Sequence, residues 1–271
     1  IENANELAIA EFDAMVEKLR AHQIKVNVVQ DTKDPSTPDS IFPNNWVSTH
    51  TNGTLCLYPM YAENRRAERK STVINFLQSN YKIENTLDLT DLEKEGIFLE
   101  GTGSMVLDHQ NKIAYGCLSE RLDKEAFISW CNKMQFKPIA FKAVDDKAQP
   151  IYHTNVMMCM GNQFVVICLE SIPNELEKQN VLESFLQTNK EVITISQDQL
   201  NHFAGNMLQV FDLFEKPHLI MSKQAYTSLH EAQLKSLEKY NTLIPISIPT
   251  IEALGGGSTR CMMAEIYLSP A

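Results

Sequence analysis

The chain has 271 residues, 44% of them hydrophobic and 21% charged, with a formal net charge of −10, the composition of an ordinary globular protein large enough for one sizeable core. An acidic balance without a basic stripe argues against a nucleic-acid partner, and no apolar run approaches the roughly 20 residues that span a bilayer. Six cysteines, at positions 56, 117, 131, 159, 168 and 261, show no CxxC or other metal-ligand spacing, so neither metal nor cofactor is expected; the thiols are expected to be reduced, in a cytoplasmic protein.

In chain order, residues 4–22 place Leu7, Ile9, Phe12, Met15, Val16 and Leu19 at the spacing of an amphipathic helix, and a strand candidate follows at 25–30. The pair recurs. Helices are predicted at about 64–80, 120–135, 174–188 and 224–240, and strands at 82–88, 137–142, 190–195 and 242–248. Between the pairs lies a polar motif opening into a hairpin. The first is Phe42-Pro-Asn-Asn-Trp46 before a turn at Asn52-Gly53. Leu99-Glu-Gly-Thr-Gly-Ser104 comes before a turn near Gln110-Asn111, and His153-Thr-Asn155 before Gly161-Asn162. His202-Phe-Ala-Gly-Asn206 precedes a turn near Glu215-Lys-Pro217, and Gly255 to Cys261 comes last. The fifth unit stops after one strand, 262–268, and its hairpin partner is expected ahead of Ile1. The pattern predicts an α/β fold, a pseudo-fivefold propeller of five ββαβ units in a single catalytic domain over 1–271. An open doubly wound sheet would explain the helices but not the hairpin signals. In the propeller each polar motif sits at an inner strand end, which converges Asn45, Glu100, His153 and Cys261 on one central site.

Cysteine, histidine and an acid are the parts of an activated thiol nucleophile. Three glycines before Ser258-Thr-Arg-Cys261 let the backbone approach a ligand closely, and Arg260 is expected to favour the thiolate. Taken alone, Cys261 reads as a small buried hydrophobe at a strand start. The glycine run is no phosphate loop, since GGGSTR lacks the lysine of that motif. His22, His50, His109, His218 and His230 are expected on solvated surface, whereas His153 and His202 open repeat units. Glu100, a carboxylate between Leu99 and Gly101, needs a partner if buried. Asp39 reads equally as a turn residue, and Arg65, Arg66, Arg69 and Lys70 as a solvated helix face.

Six motifs in order, PDSIFPNNW, NRRAE, LEGTGSMV, LSER, HTN and GGGSTRC, resemble the guanidino-group-modifying enzymes of the pentein superfamily over essentially the whole chain. That superfamily includes arginine deiminases, dimethylarginine dimethylaminohydrolases and amidinotransferases, and the likeness is closest to the citrulline-utilisation hydrolase group. The resemblance implies a fivefold α/β propeller with Cys261 as nucleophile, His153 as general acid/base and Glu100 as the carboxylate that grips substrate nitrogens. It implies Asp39 and Asn45 as further contacts to those nitrogens, and Arg65 and Arg121 on the substrate's α-carboxylate. There are departures. EGTGS stands where the family has an EGGD-like signature, leaving its second acid absent or displaced to Asp108. Asn45 and Asn155 stand where guanidine-processing relatives tend to have acids. Amides supply donors that carboxylates lack, so citrulline is the expected substrate, converted to ornithine, carbon dioxide and ammonia. The alternatives are arginine deimination, dimethylarginine hydrolysis, an amidinotransferase and a non-catalytic binding protein. The only partner expected is a small amino-acid substrate, with homo-oligomerisation left open.

Overall fold

A computed structural model describes residues 2–271. Four copies of one unit dominate it. In the first, β1 (Val47–Thr49) and β2 (Thr54–Leu57) form a hairpin, α2 (Glu63–Arg66) and α3 (Ser71–Asn80) follow, and β3 (Asn85–Asp88) returns parallel to β2. The second opens with the one-turn helix α4 (Gly101–Ser104), then β4 (Met105–Asp108), β5 (Ile113–Cys117), α5 (Lys124–Met134) and β6 (Lys137–Phe141). The third runs α6 (Thr154–Met157), β7 (Met158–Met160), β8 (Phe164–Ile167), α7 (Glu175–Gln187) and β9 (Glu191–Thr194). The fourth runs α8 (Gln197–Asn201), β10 (Leu208–Phe211), β11 (Pro217–Ser222), α9 (Lys223–Ser228), α10 (Glu231–Glu238) and β12 (Thr242–Ile246). Each gives a separate three-stranded sheet whose middle strand pairs antiparallel on one side and parallel on the other. The middle strands β5 and β8 are buried along their whole length, which is why they read as continuous apolar runs rather than alternating ones.

Local chemistry sets the ends of these elements. Gly53 closes the first hairpin with φ +77°, a conformation that disfavours side chains. Asp123 caps α5 by accepting the Ala126 N–H, and Ser196 with Gln199 forms a reciprocal capping box on α8. The sheets then stack through shared cores. Tyr115, Phe141, Phe164, Phe185 and Leu219 join the second to fourth units, and Tyr58, Leu99, Phe127 and Trp130 join the first to the second.

The fifth position differs from the expectation. Helix α1 (Ala4–Ala21) is present and packs on α11 (Pro249–Gly255), where the Glu11 carboxylate accepts the Thr250 and Ile251 N–H groups at the helix start. Neither 25–30 nor 262–268 forms a ladder among the described residues. A cavity of about 1300 Å³ lies between them, walled in part by Val26, Val28, Phe42, Val47, Met262 and Leu268. Among the described residues the four sheets therefore stand without a fifth. Part of the 262–268 backbone is met by a side chain instead of a ladder: the Thr49 hydroxyl donates to the Glu265 carbonyl at 3.0 Å and accepts the Tyr267 N–H at 2.8 Å. The strand expected ahead of Ile1 lies outside the described residues. The six cysteines are unpaired and buried.

Two surface expectations also fail. His50 and His218 are buried, His50 accepting or donating at Nε2 to the Ser48 hydroxyl (2.9 Å) with its ring 5.7 Å from Trp130. The basic cluster is not a solvated face either: Arg65 is buried on Glu68, and Arg69 forms a two-pronged pair with Glu93 at 2.7 and 2.9 Å. Burial, aided by the positive charges of His109 and Lys112, pushes His50 down to about 3. The unfolded chain then takes up a proton near pH 6.5 that the folded chain refuses until about pH 3. Stability falls on acidification through that window, by roughly 1.4 kcal/mol per pH unit from this group. In thermal unfolding between pH 7 and pH 4, His50→Gln is expected to flatten the acid slope, and a variant whose slope matches the parent would refute the assignment.

Candidate active site

The polar motifs of the first three units meet around Glu100, and that of the fourth meets the turn carrying Cys261. Glu100 immediately precedes α4 and is fully buried. Its Oε1 accepts the Tyr61 N–H at 2.9 Å, and its Oε2 accepts from His153 Nε2 at 2.6 Å and Arg121 Nη1 at 3.1 Å. Burial alone would raise Glu100, but the His153 hydrogen bond and charge, the Arg121 charge and the Tyr61 amide outweigh it and hold the carboxyl down to about 2. Burial pushes His153 the other way, towards the neutral imidazole, against the pull of Glu100. The two partners compete for one charge. We assign it to the carboxylate, because Arg121 and the Tyr61 amide stabilise that anion independently of the ring. With Nε2–H donated to Glu100, Nδ1 of the neutral ring is left as the free base.

The glycines of EGTGS explain that motif. Gly101 has φ +45°, and a Cβ there would come within 2.5 Å of the Asn44 carbonyl oxygen. A Cβ on Gly103 would overlap Asn45 Nδ2 and stand 3.1 Å from the His153 ring. Both positions let α4 nest against Pro43–Asn45, so a bulkier signature would push the Asn45 and His153 stations apart. The displaced acid suggested for Asp108 is not at this site: Asp108 pairs with buried Lys190 at 3.0 Å and caps its own hairpin turn.

Asn45 is oriented by Arg65. Arg65 Nη1 donates to Asn45 Oδ1 at 2.8 Å, its Nε and Nη2 hold Glu68 at 2.8 and 2.9 Å, and Nη2 also reaches the Phe42 carbonyl at 3.2 Å. An arginine only donates. The amide oxygen of Asn45 must therefore face it, which leaves Nδ2 turned towards Gly103 and His153 as a buried donor without a protein partner. Every nitrogen of Arg65 is engaged, and Asp39 is half-buried, with its carbonyl 3.5 Å from Nη2. Arg121 is freer. Its guanidinium lies between the Tyr61 and Tyr152 rings at 5.7 and 5.4 Å, touching Glu100 with one nitrogen.

Cys261 is buried at the end of a tight turn, its N–H donating to the Ser258 carbonyl at 2.9 Å. Ser258 donates to Glu252 at 2.6 Å, and Tyr152 donates to the Gly256 carbonyl at 3.0 Å, which ties the HTN segment to the glycine run. Asn155 Nδ2 lies 3.6 Å from the sulfur and Asn206 Nδ2 3.3 Å from it. Arg260 does not serve the sulfur as expected, because its guanidinium turns away to Glu265 and the Met263 carbonyl. His202 also lies elsewhere, half exposed and bonded to the Asp198 carbonyl. The fourth motif contributes Asn206 instead. Sequence reading missed Glu68, Tyr61, Tyr152 and Asn206. Only Glu68 left a clear signal, standing three residues after Arg65 where a helical turn brings the pair together. The cavity at the fifth position lies apart from the Glu100–His153 pair.

Over residues 1–268 the chain matches the family described as N,N dimethylarginine dimethylhydrolase, eukaryotic. The chain belongs to that family. That membership agrees with the resemblance to guanidino-group-modifying enzymes carried by the six sequence motifs. No curated protein matches it. Its fold is similar to the N-terminal domain of ArgZ, an arginine dihydrolase of the ornithine–ammonia cycle in cyanobacteria, solved as a cysteine-to-serine variant with bound substrate. The TM-score is 0.75 and the identity 15%, over 97% of this chain and 89% of that one. It is also similar to AgrE in complex with ornithine and NAD+ (TM-score 0.74, 15% identity, 95% of this chain and 34% of that one). A third is a dimethylarginine dimethylaminohydrolase carrying a chlorinated pyridine adduct (TM-score 0.66, 13% identity, 94% and 89%). The chain spans 39% of the ArgZ chain solved in its apo form.

In this family member Gly103→Ala tests the nesting of the stations. Activity is expected to fall by at least about a hundredfold for a stability loss of only about 1–3 kcal/mol, the usual cost of overpacking. An alanine variant with parental turnover, read alongside its melting temperature, would show that the two stations tolerate being moved.

Proposed function

We propose that this enzyme hydrolyses the terminal carbon–nitrogen bond of citrulline, giving ornithine, carbon dioxide and ammonia. The observation that supports this reading best is the free Nδ2 donor of Asn45. A guanidinium presents only N–H groups and would meet that donor with another donor; a ureido group presents a carbonyl oxygen that accepts it. Leaving a buried donor unmet costs about 1–3 kcal/mol, so the choice of substrate head group matters.

In this mechanism the Cys261 sulfur attacks the ureido carbon, forming a C–S bond. The thiol proton passes to His153 Nδ1 as the sulfur attacks, the carbon–nitrogen bond to the terminal NH2 breaks, and His153 hands that proton to the nitrogen, which departs as ammonia. Water, deprotonated by His153 Nδ1, attacks the thioester-like carbon; the C–S bond breaks, and the carbamate released loses carbon dioxide to leave ornithine. Glu100 holds the histidine tautomer and grips substrate nitrogens, with Asp39 as a further acceptor and Asn155 beside the sulfur. Arg121 takes the α-carboxylate, because only one of its nitrogens is held, by Glu100, where the fork of Arg65 is filled by Glu68; Arg65 instead fixes Asn45.

Arginine is the second reading. It is favoured by the ionised Glu100, which suits a cation, and by the likeness to ArgZ, an arginine dihydrolase. On arginine the first half-reaction would release ammonia through a thiouronium adduct. Steady-state kinetics on citrulline, arginine and methylated arginines, with and without an amine acceptor, separates these readings and the amidinotransferase. Citrulline is expected to show the highest kcat/KM, with no acceptor dependence; a specificity constant for arginine well above it would overturn the proposal. Asn45→Asp should weaken citrulline use by roughly tenfold or more. Cys261→Ser should abolish turnover while substrate still binds, which calorimetry would read, and Arg121→Ala should raise KM far more than it lowers kcat.

A further inference from the structure

We infer that Asn206, from the fourth polar motif, is a further member of the catalytic apparatus: the amide donor that holds the Cys261 sulfur and stabilises its thiolate. The side chain is almost fully buried, and all three of its polar positions are in use. Nδ2 donates one proton to the Asn155 carbonyl at 2.9 Å and the other to Cys261 Sγ at 3.3 Å, while Oδ1 accepts the Arg260 N–H at 3.1 Å. A backbone N–H cannot accept, so the Arg260 contact fixes the oxygen and leaves the NH2 facing the sulfur. The amide therefore cannot flip. It joins the turn bearing Cys261 to the segment bearing His153 and Asn155, and so sets the sulfur against the rest of the site.

The donor acts on one protonation state. A thiolate accepts a hydrogen bond more strongly than a thiol does, and such charge-assisted bonds are about twice as strong as neutral ones. The other neighbour differs: Asn155 presents both its donor, Nδ2 at 3.6 Å, and its acceptor, Oδ1 at 3.9 Å, to the same sulfur, so its amide does not favour one protonation state as that of Asn206 does. The guanidinium of Arg260, the adjacent cation, is committed to Glu265. Of the donors that reach this sulfur, the Asn206 amide is the shorter and the one whose orientation is fixed.

The deciding readout needs no substrate and so stands apart from the citrulline proposal. Iodoacetamide alkylation of Cys261 in the full chain, followed by peptide mass mapping across pH, reports the thiolate fraction. Asn206→Asp keeps the acceptor for Arg260 and replaces the donor by a like charge. Its alkylation inflection is expected to move up by about one pH unit or more, and turnover to fall roughly tenfold to a hundredfold with KM changed less than about threefold. Asn206→Ala, without added charge, should shift the inflection in the same direction by less. A folded variant of either kind whose inflection overlays the parent's would overturn the assignment. In the unsubstituted protein, the side-chain NH2 resonance of Asn206 should titrate with the same inflection as the alkylation; a resonance indifferent to Cys261 deprotonation would overturn it without any variant.

Discussion

The site rests on one buried carboxylate. Glu100 is removed from water, which by itself would neutralise it, and it remains an anion only because three donors from three different parts of the chain meet it. Those donors are the Tyr61 amide after the first hairpin, Arg121 from the segment before α5 and His153 from the third unit. Losing any of them leaves a buried charge short of a partner, a more expensive outcome than losing a surface pair. The carboxylate thus fixes the histidine tautomer and couples three segments that the sequence separates by dozens of residues.

Backbone proximity is the second condition. Three side chains of chemical use, Asn45, Glu100 and His153, can share so small a volume only because the element between them carries no bulk. Gly101 and Gly103 are tolerable as helix formers for one turn because α4 is only four residues long and is held from outside, by Ser104 bonding to Arg121 and by the Thr154 hydroxyl on the Ser104 carbonyl. Their entropic cost is small beside the packing they permit. The same logic governs Arg65: buried with Glu68, it does nothing visible at the surface, yet it decides which end of the Asn45 amide faces the substrate space.

Much of this was legible in the sequence because it repeats. A helix-strand pair followed by a hairpin signal marks four units correctly to within a few residues, and the position of each polar motif ahead of a strand is enough to bring Glu100, His153 and Asn45 together. What was not legible has physical reasons. The fate of Arg65 turned on one glutamate, since a guanidinium reads the same whether it faces a substrate or a buried carboxylate. Arg260 sits beside Cys261 in the chain, but on a tight turn the adjacent side chain points away, so adjacency told nothing of contact. Asn206 was hidden behind His202, the more reactive-looking residue four positions earlier, which lies at a helix end bonded to its own backbone. Periodicity predicted strands at 25–30 and 262–268, yet a strand needs a partner as well as a pattern.

The fifth position also changes how Cys261 is held. At three of the other stations a one-turn helix runs directly into a strand whose hairpin ladder anchors it: Pro43–Asn45 into β1, α4 into β4 and α6 into β7. The turn carrying Cys261 runs into 262–268, which has no such ladder. Its geometry is set by side chains instead: Glu252 on Ser258, Tyr152 on Gly256, Phe42 packed against Gly255 and Gly257, and Asn206 on the Arg260 amide. A station built from discrete side-chain bonds lacks the mutual support of a sheet, where loss of one rung is shared by its neighbours. The Cys261 sulfur therefore depends on more individual residues than Glu100 and His153 do, and the residues that position it are spread over the first, third and fourth units and the helix that precedes it.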